Sequence, residues 1–431
     1  MTRLIAYREV GGSLRAPASK SSMQRAIACA LLSEGESILR YPSRSADCLA
    51  ALAVARAFGA QVEDSGEAFA IRGAAPGVAS SPKGSIALRK LSCGESGLCI
   101  RMFSPIAALF EGETELGAEG SLRRRPVGMI APPLIALGAA CETASGLPPV
   151  RVRGPLRGGR AMVDGRMSSQ LLTGLLIALP LAEDDSELEV EGLASRGYVD
   201  LTLDTMRAFG VAAERDASYG RFRVQGSQRY RAADFRVEGD WSGAAFLLVA
   251  GAIAARSALL RIEGLDASSS QPDVAILEAL RAAGARIEAA TDEVSVGRGR
   301  LQAFDFDATD CPDLFPPLVA LAAACNGETK IRGAHRLRGK ESDRAEALSR
   351  EFAALGATVA VEDDLMRVRG CGLDGRGWLV GGRVDSRGDH RIAMAAAIAS
   401  LCCEAAVEIE GGECVAKSWP SFFEDLAAIA R

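Results

Sequence analysis

The stretch GSLRAPASKSSMQRAIACALL, residues 12–32, decides the fold. A short strand-forming run leads into a small-residue turn, and the turn opens a helix of Ala, Leu, Ile and Met. The same pattern returns from Gly84 (GSIALRKLSCGESGLCIRMFSPIAAL), Gly159 (GRAMVDGRMSSQLLTGLLIALPLA), Phe235 (FRVEGDWSGAAFLLVAGAIAA), Asp305 (DFDATDCPDLFPPLVALAAAC) and Gly382 (GRVDSRGDHRIAMAAAIASL). These starts lie roughly 70–80 residues apart, which is the spacing of an internal repeat. Ser, Asp or Gly in each turn can accept from the free N–H groups of the first helical turn, and a helix N-terminus dressed this way attracts anions.

Between the copies a second amphipathic helix recurs. It stops each time at a glycine, Gly59, Gly138, Gly210, Gly284 or Gly356, which suits a left-handed C′ residue before the next strand. Strands and helices therefore alternate throughout, as in an α/β protein with right-handed crossovers. The first helices read as apolar nearly all round and so as buried. Six units divide into three plus three, giving two domains. The expected crossings lie near Gly11–Gly12 and around Asp234–Glu238, so that 13–235 forms one domain, and 1–12 with 236–431 the other.

With 48% hydrophobic residues, 24% charged residues and a net charge of −5, the 431-residue chain is globular, and since its opening shows no basic-then-apolar signal region and its apolar runs are interrupted well before a membrane span's length, it is expected to be soluble and cytoplasmic; a monomer is expected. That charge disfavours nucleic acid and anionic membrane as partners, so any anion must be bound locally. The eleven cysteines form no CxxC pair and only two histidines are present, which points to buried thiols rather than a zinc or disulfide framework.

From PASKSSMQR onward the motifs become specific. Ser19, Lys20, Ser21 and Arg25 give S-K-S-x-x-x-R; LSCGESGLCIR supplies Gly94, Gly97 and Arg101; RRRPVG carries Arg125; GRMSSQLLTGLL carries Ser168, Ser169 and Gln170; SRGYVDLTL carries Ser195 and Tyr198. Further on come Asp313 in CPDLFP, then Arg338, Lys340, Glu341 and Arg344 in LRGKESDR, His390 and Arg391 in GDHRIAM, and Lys417 in AKSWPSFF. In this order the motifs resemble those of the 5-enolpyruvylshikimate-3-phosphate (EPSP) synthases, and they run from Ser19 to Phe423.

The resemblance implies a two-domain inside-out α/β barrel, with three βαβαββ-type units per domain and the site in a cleft between them. It implies transfer of the enolpyruvyl group of phosphoenolpyruvate to the 5-hydroxyl of shikimate 3-phosphate by addition and elimination through a tetrahedral intermediate. The scheme needs acids and bases but no metal or organic cofactor. Shikimate 3-phosphate would be held by Lys20, Ser21, Arg25, Ser168, Ser169, Gln170, Ser195, Tyr198, Asp313 and Lys340. Phosphoenolpyruvate would be held by Lys20, Gly97, Arg125, Gln170, Arg344, Arg391 and Lys417. Asp313 would take the hydroxyl proton, with Glu341 and Lys20 handling the methylene carbon. The domain of residues 13–235 would be the shikimate 3-phosphate side, and the other the phosphoenolpyruvate and catalytic side. Both substrates are small polyanions, for which the planar fork of arginine is suited.

Four positions depart from the family pattern: Glu95 replaces the usual Asn, Leu98 and Met102 stand where the family has Thr and Pro around the loop arginine, and Arg336 stands where many members have Asn. A carboxylate at 95 would oppose a bound phosphate unless it turns away or is neutralised by Arg336, Arg123 or Arg124. The competing readings are a binding-only homologue, and the sister UDP-N-acetylglucosamine enolpyruvyl transferase. The sister enzyme places a cysteine shortly before the R-P pair. Here AEGSLRRRPV has none, and no cysteine lies between Cys99 and Cys141. The acid and base candidates Asp313 and Glu341 argue against binding alone. An RNA-end-processing enzyme would want a nucleophilic histidine on a basic surface.

Overall fold

A computed structural model of the chain describes residues 2–6, 8–76, 88–373 and 379–430. The six small-residue runs form helices: α1 Lys20–Leu32, α2 Gly97–Ala107, α3 Gln170–Ala178, α4 Trp241–Ala254, α5 Phe315–Ala324 and α6 His390–Ala399. Each follows a short leading strand: β1 Gly12–Arg15, β2 Arg89–Ser92, β3 Gly159–Asp164, β4 Asp234–Arg236, β5 Asp305–Asp307 and β6 Gly382–Asp385. The opening of the second copy, Gly84 to Ala87, lies outside the described residues.

Polar turn residues start several of these helices as expected. Ser96 accepts from the Cys99 N–H at 3.2 Å, Asp240 from Gly243 at 3.1 Å and Asp389 from Arg391 at 3.0 Å. Apolar residues on every side then leave nothing for solvent. All of α4, α5 and α6 is buried, as is α1 beyond its first two residues. The outer helices end at Gly59, Gly138, Gly210, Gly284 and Gly356, whose φ of +81° to +108° any side chain would strain. All eleven cysteines are free thiols and nine are buried.

The chain divides into two compact units, Lys20–Val237 and Met1–Ser19 with Glu238–Arg431. In the first, α2 packs on α3 and α1, and α1 and α3 both touch the helix Gly197–Ala208. In the second, α4, α5 and α6 touch one another in pairs. The helices thus fill the middle of each unit and the sheets lie over them. Strands such as Glu36–Arg40 and Ser186–Glu191 alternate outward and buried residues, placing one face on the helices.

Four of the leading strands, β2, β3, β5 and β6, pair in parallel with the strand that follows their own helix, and antiparallel strands extend the sheet. For β2 the order continues through Glu113–Gly117, Leu147–Arg153 and Ala140–Ala144. Two copies are split between the units. β1 pairs with Leu260–Glu263, while β4 pairs with Glu36–Arg40, so each leaves its own helix behind in the other unit. The chain crosses between strand and helix, at Ser19/Lys20 and at Val237/Glu238. Residues 13–19 accordingly sit with 238–431 and not with 20–235, because strand pairing, continued by Ala16 N–H to Glu263 O at 2.8 Å, holds them there, and residues 236–237 sit with 20–235 because Arg236 pairs with Arg40. Lys20 is the first residue past a crossing.

Candidate functional site

In the unit containing residues 238–431, the starts of three helices converge on Asp313, which sits in the Pro312–Leu314 turn ahead of α5. Arg344 opens the helix Arg344–Ala354, Arg391 is the second residue of α6, and Lys417 ends the turn Gly412–Lys417. Arg344 donates from Nη1 to Asp313 Oδ1 at 2.8 Å, from Nη2 to Glu341 Oε2 at 2.7 Å and from Nε to Asp389 Oδ2 at 2.8 Å. Arg391 Nη2 reaches Asp313 Oδ2 at 3.1 Å, Lys340 Nζ lies 3.6 Å from Asp313 Oδ1, and Lys417 Nζ lies 3.4 Å from Glu341 Oε1.

The Arg344 side chain is 1% exposed and that of Asp389 0%, whereas those of Asp313 and Lys340 are 23% and 24% exposed. Burial alone would raise the Asp313 carboxyl, but Arg391, Lys340 and Arg344 outweigh it and hold the group well below the usual carboxylate range. Burial, reinforced by Arg344 and Arg336 against the pull of Asp313 and Glu341, pushes Lys340 down to about 8. Arg336 is buried within the field of Asp310 and Asp313, and burial lowers its pKa against them. Sequence reasoning passed over Asp389. Its place in GDHRIAM was the available signal, since the carboxylate caps α6 and also clamps Arg344.

The unit Lys20–Val237 holds a second cluster. Lys20 opens α1 and pairs with Asp47 at 3.0 Å, another partner that the motifs did not name. Gly97 opens α2. A Cβ there would lie 2.9 Å from both Arg101 Nη1 and Arg125 Nη2, so only glycine lets the two guanidinium groups crowd this helix start. Arg101 is fixed by Gln170 Oε1 at 2.7 Å and the Pro126 carbonyl at 2.8 Å. Arginine is a pure donor, so Gln170 must turn its oxygen to Arg101 and point its NH₂ elsewhere. Two buried guanidinium groups beside backbone N–H groups have the chemistry to receive an anion.

The structure brings Arg25, Ser21 and Tyr198 together, but with Arg25 as a brace. It is 1% exposed and donates to the carbonyls of Ser21 at 2.8 Å and Tyr198 at 3.0 Å, and to Thr202 Oγ1 at 2.8 Å. Its guanidinium also lies over the Tyr198 ring, 5.8 Å from the centroid. Ser168 Oγ accepts from the Gln170 N–H at 3.2 Å, so it caps α3, while the Ser169 hydroxyl makes no cap bond. Ser195 precedes the helix Gly197–Ala208 with φ +60°. Glu95 takes hydrogen bonds from Ser121, from N–H at 3.0 Å and Oγ at 2.8 Å.

Two units built on buried repeat helices define a fold class shared with the enolpyruvyl transferase NikO from Streptomyces tendae. NikO aligns over 99% of this chain and 97% of its own, with TM-score 0.77 and 18% identity. The EPSP synthase structure from Acinetobacter baumannii superposes over 100% and 98% of the two chains, with TM-score 0.83 and 26% identity. The family model of EPSP synthase (3-phosphoshikimate 1-carboxyvinyltransferase) matches residues 6–426. Proteins named 3-phosphoshikimate 1-carboxyvinyltransferase from Methanocorpusculum labreanum and Aeropyrum pernix are 34% and 39% identical, covering 99% and 97% of this chain and 98% and 93% of their own. The chain belongs to the EPSP synthase family. Among the described residues no helix is long and apolar enough to cross a membrane.

Proposed function

We propose that this chain transfers the enolpyruvyl group of phosphoenolpyruvate to the 5-hydroxyl of shikimate 3-phosphate, releasing phosphate and 5-enolpyruvylshikimate 3-phosphate. The observation that carries the reading is Asp313, an ionised carboxylate held by Arg344 and Arg391 beside a lysine poised near neutrality. In the addition, the hydroxyl oxygen bonds to the central carbon of the enol while its proton passes to Asp313 and a second proton reaches the methylene carbon. In the elimination, phosphate leaves and a proton is lost from the new methyl group. Glu341 and Lys20 serve that carbon; Lys417 beside Glu341 gives the carboxyl a proton partner.

Lys20, Gly97, Arg125, Gln170, Arg344, Arg391 and Lys417 take phosphoenolpyruvate, with Gln170 offering its NH₂. Ser21, Ser168, Ser169, Gln170, Ser195, Tyr198, Asp313, Lys20 and Lys340 take shikimate 3-phosphate, and Arg25 holds the elements that carry them. Asp313 and Glu341 already fill the Arg344 fork, so an incoming carboxylate must share or replace one of them. The chain acts as a monomer on small molecules in the cytoplasm. Purified protein mixed with shikimate 3-phosphate and phosphoenolpyruvate should release phosphate in step with the enol ether product. Well-folded protein that releases none would overturn the assignment.

A further inference from the structure

We infer that Glu95 is a positioning residue of the anion site: it staples the glycine loop to the loop of residues 119–125 and thereby seats Arg125 against Gly97. The inference rests on the proposed function for the identity of the anion, phosphoenolpyruvate, and on nothing else from it. The two loops are joined at three points in succession. Ser92 Oγ donates to Glu119 Oε1 at 2.6 Å, the Glu119 N–H donates to the Gly94 carbonyl at 2.8 Å, and Ser121 donates twice to Glu95 Oε2.

Gly120 leaves the room this grip requires. Its φ is +46°, and a Cβ built on it would fall 2.3 Å from the Glu95 carboxyl carbon and 2.4–2.5 Å from the two oxygens. From Ser121 the chain winds through a tight turn, with Leu122 N–H on Glu119 O and Arg125 N–H on Leu122 O, both at 3.0 Å, so a constraint at 121 is transmitted to 125. Beyond it the Pro126 carbonyl is held by Arg101. Residues 119–126 are thus fixed at one end by Glu95 and at the other by Arg101, with the Arg125 guanidinium delivered to the start of α2 between them.

This arrangement reverses the sign expected from charge alone. A free carboxylate in a phosphate-binding loop repels the phosphate, so removing it would tighten binding. A staple that orders Arg125 makes its removal weaken binding. Glu95 is exposed, so its replacement leaves the buried helices untouched.

The test uses the full chain with Glu95→Ala, Glu95→Gln, Ser121→Ala and the Glu95→Ala/Ser121→Ala double variant, and measures KM for both substrates and phosphoenolpyruvate affinity by calorimetry. Glu95→Ala should raise KM for phosphoenolpyruvate about threefold to tenfold, the range for one hydrogen-bonded contact to a charged group, with KM for shikimate 3-phosphate and the melting temperature unmoved. Glu95→Gln, which keeps an acceptor, should recover most of the loss, and the double variant should be no worse than either single one. Tighter phosphoenolpyruvate binding by Glu95→Ala, or additive single effects, overturns the staple. A readout free of substrate is amide exchange. Glu95→Ala should speed exchange across residues 119–126, and unchanged exchange there overturns the inference even if wild-type protein proves inactive toward these substrates.

Discussion

The two charged clusters use their cations in different ways. Around Asp313, the cations Lys340, Arg344, Arg391 and Lys417 stand interleaved with the carboxylates Asp313, Glu341 and Asp389. Around Gly97, Arg101 and Arg125 crowd the helix start, and Arg101 rests on the neutral oxygens of Gln170 and Pro126. Cations interleaved with carboxylates control where protons sit. Neutral oxygens orient a cation without cancelling its charge. The first arrangement suits acid–base chemistry and the second suits grip.

The largest expected effects break the first cluster. Asp313→Asn and Glu341→Gln should each lower kcat by about 10²–10⁴-fold while substrates still bind, as expected when an acid–base group is made unable to ionise. A steady-state assay showing a loss within about threefold removes that residue from the proton path. Breaking the second cluster should look different. Arg125→Ala should raise KM for phosphoenolpyruvate by about ten- to a hundredfold, the scale of a lost charge-assisted contact, with a smaller change in kcat. A kcat collapse at saturating substrate would erase the distinction between the clusters.

Lys340 sharpens the contrast through pH. With its pKa near 8 it is mostly charged at pH 7, and if that charge steadies Asp313 and the substrate, kcat should fall as pH rises through about 8. Lys340→Arg should move this limb to higher pH. The same shift acts on stability. Between about 8 and the ordinary lysine value of 10.5 the folded chain has released a proton that the unfolded chain retains, so this group makes stability rise with pH across that window. Lys340→Gln should flatten that rise in urea titrations at pH 8 and 10, and an unaltered slope would contradict the assignment. The smallest effect on catalysis should come from Arg25→Lys. A lysine cannot reproduce the fork that ties α1 to Tyr198 and Thr202, so about 2–4 kcal/mol of stability should be lost, with phosphoenolpyruvate affinity nearly intact.

Much of this was legible in the sequence, for physical reasons that differ by feature. The repeat helices declare themselves because a helix buried all round must be apolar all round, and the stop glycines because their φ admits little else. The motif cations were legible as well, since their chemistry is fixed by residue type. The strand exchange was not: nothing in GSLR or DFR says which sheet will pair with it, because pairing partners lie some 200–250 residues away. Asp389 and Asp47 were missed because a carboxylate in a helix's first turn reads as an ordinary cap. The bracing role of Arg25 was hidden for a similar reason, as its acceptors are mainly backbone carbonyls and threonine hydroxyls, which carry no motif.

The central claim is that the Asp313 cluster moves protons while the Gly97 cluster holds the anion. It is tested most directly by following deuterium entry into the methylene group of phosphoenolpyruvate by NMR, in heavy water with shikimate 3-phosphate present. The account predicts that Glu341→Gln slows this exchange by at least about a hundredfold, the range of a lost acid–base group, while Arg125→Ala at saturating phosphoenolpyruvate stays within about tenfold of wild type. Exchange that survives in Glu341→Gln and vanishes in Arg125→Ala would contradict it.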